Sequence, residues 1–204
     1  MIYELSHYTK EHFPFLWQIV EWLNSLFFVL LYKKELRKIP DILAKNSEKY
    51  KVEEVVTRDI DKLAIFFSEQ PIEAFTFFNP HGFDHKSLAK LVRRKSFLMF
   101  KVMDGNVIIG YFFLRCFANG NAFKGRIVDS HRRNQGIAKL MGCVINEVVK
   151  ELYLRLYTTI SPENYSSLAS TKAVNNIKIV RTLENGYYYI ECTPKDKNEK
   201  RHVI

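Results

Sequence analysis

Residues 128–138 read Val-Asp-Ser-His-Arg-Arg-Asn-Gln-Gly-Ile-Ala, and this run constrains the fold more than any other. The apolar and β-branched run Ala122–Val128 before it reads as a strand, and Gly136–Glu151 after it has helical spacing. The chain therefore passes from strand to helix through a turn built of Arg133, Asn134, Gln135 and Gly136. The first N–H groups of a helix have no partner inside it, and they carry the positive end of its dipole. An anion is the natural ligand of such a corner. Gly136 and Ala138 keep the approach to those amides clear. Lys124, Arg126, Arg132, Arg133 and Lys139 face Asp129 as the one acid of the stretch. An ordinary basic turn on a solvated face is the competing reading. The strand–turn–helix context favours phosphate.

Composition narrows the class. The 204 residues suit one domain, or one domain with an extension. Hydrophobic residues make up 47% with few Gly and Pro, which excludes a disordered chain. A net charge of +9 favours anionic partners: a nucleotide-like cofactor, nucleic acid or an acidic membrane surface. Lys and Arg are scattered rather than striped, and no basic–aromatic repeat of the single-strand binders occurs, which counts against nucleic acid. Cys116, Cys143 and Cys192 are odd in number and lack metal-ligand spacing, so reduced thiols and a cytoplasmic protein are expected. No secretory signal is legible at the amino end.

Phe13–Tyr32 is mostly apolar and close to bilayer-spanning length. Gln18, Glu21 and Asn24 recur every third residue, which gives a helix one polar stripe. Lys33, Lys34, Arg37 and Lys38 follow and suit a helix C-terminus or anionic headgroups. Three readings are ranked: packing against the rest of the chain or a second subunit, then peripheral membrane contact, then a membrane span. A homodimer stays open on the same ground.

From Lys51 the elements read in order. Val52–Val56 is a short strand, and Thr57 or Asp59 caps a helix through Ser68. Phe75–His85 is an aromatic loop before a helix at Lys86–Arg93. Ser96–Met103 and Val107–Phe117 form a hairpin through Asp104-Gly105. Leu152–Ile160 is β-rich, Asn164–Ala173 helical, and Ile177–Leu183 with Tyr187–Thr193 closes the sheet. Three parts follow: an N-terminal helical extension (1–50), a main domain (51–194) and a charged tail (195–204).

The motif and this order resemble the GNAT family of acyl-CoA-dependent N-acyltransferases. Its signature, Arg/Gln-x-x-Gly-x-Gly/Ala five residues beyond a strand-ending Val, is matched by Arg133-Asn134-Gln135-Gly136-Ile137-Ala138 after Val128. The resemblance covers about residues 51–193. It implies an α+β fold with a mixed, mostly antiparallel central sheet flanked by helices, in which the strand before the motif and the strand after the main helix splay apart. It implies acetyl-CoA as cosubstrate: the backbone of Ile127 and Val128 on pantetheine, and Arg133, Asn134, Gln135, Gly136, Ile137, Ala138 and Lys139 on the pyrophosphate. Asn164, with Ser167 after it, stands where the family places a cofactor-contacting Asn; a helix N-cap is the other reading of Asn164.

The implied reaction is acetyl transfer to a small primary amine, an amino sugar among the candidates, by direct attack in a ternary complex. A catalytically weak binding protein engaging nucleic acid or a membrane is the alternative. The sequence departs from the family at the general acid: the usual Tyr position holds Thr171, and Asn175-Asn176 stand where Gly-Phe is usual. Tyr165 is the substitute chosen ahead of Tyr157 and Ser170. His81 or Asp84 in Asn79–His85 is the candidate base, acting through water. Both also have structural readings, His81 in a Pro-Gly turn and Asp84 as a helix cap. A metal held by His81, Asp84 and His85 is not expected, because so short a loop gives poor geometry.

Overall fold

The structure is a computed structural model that describes residues 14–195, with side chains placed from Gln18 onward. Phe13 at the head of the apolar run and residues 196–204 of the charged tail lie outside the described residues. Two helices come first, α1 (Pro14–Leu36) and α2 (Ile39–Lys45), then β1 (Lys51–Glu54). A 3-10 turn at Thr57–Asp59 leads into α3 (Ile60–Ser68), and a second at Ile72–Phe75 precedes α4 (His85–Val92). The meander β2 (Phe97–Asp104), β3 (Val107–Cys116) and β4 (Asn121–Val128) follows. Then come α5 (Ile137–Glu151), β5 (Arg155–Ile160), α6 (Tyr165–Lys172), β6 (Asn175–Thr182) and β7 (Tyr188–Pro194).

All seven strands join one sheet in the order β1-β2-β3-β4-β5-β7-β6. Every neighbour pair is antiparallel except β4 with β5. This is the mixed, mostly antiparallel sheet that the resemblance implies. Its centre is buried on both faces, so β3 is apolar at nearly every position instead of alternating. Phe112, Leu114 and Cys116 of β3 pack into one layer; Tyr111 and Phe113 pack into the other. The first layer takes α5 through Ile137, Met141, Val144, Ile145, Val148 and Val149, spaced at helical period. The second layer is α3 and α4, through Leu63, Phe66, Phe67, Leu88 and Leu91.

Local chemistry moves several boundaries. The strand expected at Leu152–Ile160 begins only at Arg155, because Tyr153 adopts φ 52 and Leu154 N–H returns to Val149 O at 2.9 Å. Val52–Val56 shortens to end at Glu54, and Asp59 reaches back to accept the Val56 N–H at 2.9 Å while pairing with Lys101 at 2.6 Å. The aromatic loop is largely core: Phe75, Phe78 and Phe83 interlock and pack on the α3–α4 layer.

The extension is packed into the domain; of its polar stripe Glu21 and Asn24 face inward, while Gln18 stays exposed. Asn24 Nδ2 donates to Cys116 O at 2.9 Å, and Ala118 N–H donates to Asn24 Oδ1 at 3.0 Å. Ser25 bonds Ser96, and Glu21 pairs with Arg94 and Arg115. Phe28, Ile39, Leu43 and Tyr50 are buried in the same cluster as α5 and the sheet. Among the described residues, no helix is long and apolar enough to cross a membrane. Because Phe28 is wholly buried, Phe28→Ala is expected to cost about 3–5 kcal/mol. A single urea transition should then shift as a whole for both the extension and the sheet; two separate transitions would show that α1 folds independently.

Candidate functional site

The parallel ladder between β4 and β5 contains three register pairs, Asn121↔Arg155, Ala122↔Leu156 and Phe123↔Tyr157. One further link, Thr158 Oγ1 to Lys124 O at 3.3 Å, ends the contact. Beyond it β4 stays paired with β3 as far as Val128, and β5 stays paired with β7 as far as Ile160. The β5-facing edge of β4 from Gly125 to Val128 therefore has no strand beside it. An extended polar chain entering that opening meets unused backbone donors and acceptors.

The opening ends at the predicted phosphate turn. Asp129 accepts the His131 N–H at 2.9 Å and so holds a short 3-10 turn at Ser130–Arg132. Arg133 is extended, Asn134 takes φ 62 and Gly136 takes φ 81. Gly136 is the N-cap of α5, with no side chain capping the helix. A Cβ built on Gly136 meets nothing within 4 Å. Arg133, Asn134, Gln135 and Lys139 are exposed, while Ile137 is buried and Ala138 half-buried. The corner is open, cationic and rich in free amides, as an anion requires. Two struts fix it: Tyr50 Oη bonds Gln135 Oε1 at 3.2 Å, and Ser130 N–H donates to Gln70 Oε1 at 3.0 Å.

Two cations on β4 escaped notice as more than general charge. Lys124 and Arg126 share a strand face with Ala122 and Val128, and both point into the α5 layer. Arg126 donates to Ala138 O at 2.7 Å, Ser170 Oγ at 2.8 Å and Thr171 Oγ1 at 3.1 Å, bridging α5 and α6 across the opening. Burial lowers it to about 10. Gly142 makes room, since a Cβ there would lie 2.8 Å from an Arg126 nitrogen. Lys124 is buried with the Cys192 thiol as its polar neighbour, and burial lowers it to about 8 although that thiol acts the other way. The signal was available: two charges at i and i+2 on a strand whose other inward residues are small or apolar.

The candidate catalytic residues are not gathered in one place. His81 lies among Phe67, Phe83, Phe97, Phe113 and Tyr111, with ring centroids 5.2–6.3 Å away. Its Nδ1 bonds Gly82 O at 2.9 Å, so Nε2 is the acceptor for the Tyr111 hydroxyl at 3.0 Å. Tyr111, which the sequence reading passed over, is fully buried and sits opposite Ile127 of β4. Asp84 is an exposed cap instead: its carboxylate takes the Ser87 N–H at 3.0 Å and the Ser87 hydroxyl at 2.5 Å, which lowers its pKa. Asn164 caps α6 by accepting the Ser167 N–H at 3.1 Å, so these two residues bond each other. Tyr165 is exposed at the start of α6, and Thr171 is buried and held by Arg126.

No protein-family model matches the sequence, and no curated protein matches it either. The fold, however, is shared with solved structures. The GNAT domain of S. lividans PAT superposes with a TM-score of 0.61 at 17% identity, over 70% of this chain and 89% of that one. The ribosomal-protein-S5-alanine acetyltransferase from Vibrio fischeri gives 0.57 at 18% identity, over 74% and 95%. AAC(6')-Ib in complex with parmomycin and acetyl-CoA gives 0.58 at 10% identity, over 76% and 99%. The architecture is the GNAT fold.

Desolvation holds the His81 imidazole below its ordinary value, partly offset by its bond to Gly82. The unfolded chain therefore takes up this proton first as pH falls, and the fold loses stability from about pH 6.5 downward. His81→Gln keeps an acceptor for Tyr111 and is expected to flatten that acid-side loss. Urea midpoints at stepped pH check this; an unchanged slope would put the loss elsewhere.

Proposed function

We propose that this chain transfers the acetyl group of acetyl-CoA to a primary amine of a small molecule, both substrates bound together. The observation that carries the reading is the uncovered edge of β4 running into the uncapped amino end of α5. In this reading the Ile127 and Val128 backbone holds the pantetheine arm. Arg133, Asn134, Gln135, Gly136, Ile137, Ala138 and Lys139 hold the pyrophosphate through amides and charge. Asn164 and Ser167 contribute from the start of α6, where β5 has just ended. Acetyl-CoA supplies a thioester carbonyl that a neutral amine attacks, with the thiolate leaving.

The rest is what the protein contributes. Holding two substrates in line is the largest part. A backbone N–H at the end of β4 polarises the carbonyl. His81, the candidate base, is kept neutral by burial, but its Nδ1–H is given to Gly82 O and its Nε2 accepts the Tyr111 hydroxyl, so it positions that phenol and the amine loses its proton to solvent. Tyr165 is too exposed to serve well as a buried acid, with 77% of its surface open. Arg126 takes over that task electrostatically. Its guanidinium occupies the neighbourhood of Thr171, where the family acid is missing, and a buried cation there offsets the charge growing on the sulfur. The aminoglycoside acetyltransferase AAC(6')-Ib, which shares this fold, is known in complex with parmomycin and acetyl-CoA and with kanamycin and coenzyme A, which is consistent with a polar primary amine as substrate class.

Thiol release from acetyl-CoA across a panel of amines and amino sugars tests the activity; release with none of them would sink it. Arg133→Glu removes a phosphate partner and adds repulsion, and is expected to weaken CoA about 10- to 100-fold by calorimetry. Unchanged affinity would break the phosphate assignment. Arg126→Gln is expected to lower turnover about tenfold or more and CoA affinity by clearly less, because the lost charge acts mainly on the leaving sulfur while the lost bond to Ala138 O loosens the first turn of α5. Equal turnover would remove Arg126 from the chemistry.

A further inference from the structure

Helix α1 is amphipathic in the inverted sense. Its inward face carries Glu21, Asn24, Ser25, Phe28 and Tyr32, and Glu21, Asn24 and Ser25 are spent on hydrogen bonds and ion pairs with β3, the loop before β2 and the loop after β3. Its outward half carries Ile19, Val20, Trp22, Leu23, Leu26, Phe27, Leu30 and Leu31. These are 38–64% exposed and make up eight of the large exposed apolar side chains of the described protein. Soluble monomers rarely leave so continuous an apolar stripe open to water. The inward polar residues show that the orientation is specified: turning the helix over would strand Glu21 and Asn24 in solvent and unpair the backbone at Cys116 and Ala118.

The surroundings of the stripe say what covers it. At its carboxyl end Lys33, Lys34 and Arg37 are exposed, with Glu35 half-buried among them, while Lys38 is already paired with Glu151. Near its amino end an open groove runs between Gln18, Glu21 and Trp22 of α1 and Lys86 and Lys90 of α4 with Arg93 just after it, and those three cations are exposed. Both ends are therefore basic. A second copy of this chain, whether laid parallel or antiparallel, would set cation against cation. An anionic lipid surface would instead receive the apolar side chains between its acyl chains and the cations at its headgroups. Trp22 suits the boundary between them.

We propose that the outward face of α1 docks the protein on an anionic membrane surface, with the helix lying in the plane of the interface. This inference rests on α1 and its basic surroundings and not on the acetyltransferase reading, and either stands without the other. Flotation of the full chain with vesicles of phosphatidylcholine alone, and of phosphatidylcholine with phosphatidylserine, tests it, with light scattering of the free protein alongside. The chain is expected to float with the anionic vesicles and to stay behind with the neutral ones. Replacing both Phe27→Asp and Leu30→Asp should abolish flotation with an unchanged melting temperature, since both side chains face away from the domain. Each of Lys33→Gln, Lys34→Gln and Arg37→Gln should lower partitioning about fivefold, the ratio expected for one cation near an anionic surface. The proposal is overturned if the wild-type chain does not float with anionic vesicles, or if the Phe27/Leu30 variant floats as well as wild type. It is equally overturned if the free protein is a stable dimer that the same two substitutions split, which would give the face to a second copy.

Discussion

Strands β4 and β5 run side by side for three residue pairs and then part, and much of the remaining structure is arranged around the opening this leaves. A backbone edge in the middle of a sheet carries donors and acceptors that must be met by something. Here the neighbouring strands keep their other partners, so the sheet does not close on itself: β3 holds β4 to its end, and β7 holds β5. The parting is thus built in by the pairing on either side. The turn that follows β4 continues the same theme, because Gly136 caps α5 with backbone alone and leaves the first amides of the helix unspent.

Keeping such a corner open and rigid at once takes supports at a distance. Gln70, buried at the end of α3, holds Ser130. Tyr50 holds Gln135 from the other layer. Arg126 joins the first turn of α5 to the last turn of α6, satisfying one carbonyl and two hydroxyls with a single side chain. Its neighbour Lys124 has no such set of partners. A buried ammonium whose polar neighbour is a single thiol, Cys192, is poorly compensated for lost water, and burial lowers its pKa to about 8. The two cations sit two residues apart on the same strand face, yet one is fully employed and the other is not.

The architecture was legible because its signals were local. Alternation, the Asp104-Gly105 hairpin, the period of α5 and the turn at 133–136 each name their own structure, and together they order the sheet. The side-chain assignments were less so, since they depend on contacts far apart in sequence. Asp84 and Asn164 are followed at the third position by Ser87 and Ser167, whose amides they accept, and that spacing already suggested caps. His81 was readable as a titratable group but not as the partner of Tyr111, thirty residues away on a strand that looks uniformly apolar. The inward polar stripe of α1 was visible as a stripe. Its direction was not, because polar residues normally face water, and only the strand ends at Ser96 and Cys116 show why these do not.

Tyr50 lies one residue before the first strand and is buried with Phe28, Ile39 and Leu43 in the main cluster. A protein trimmed to begin at residue 51 would retain all seven strands and look complete on a topology diagram. It would nonetheless lose the phenol that steadies Gln135, together with the lid over the edge of α5 where Lys38 and Lys45 pair with Glu151 and Glu147. The natural border of the folding unit therefore falls upstream of the sheet, inside what reads as an appendage.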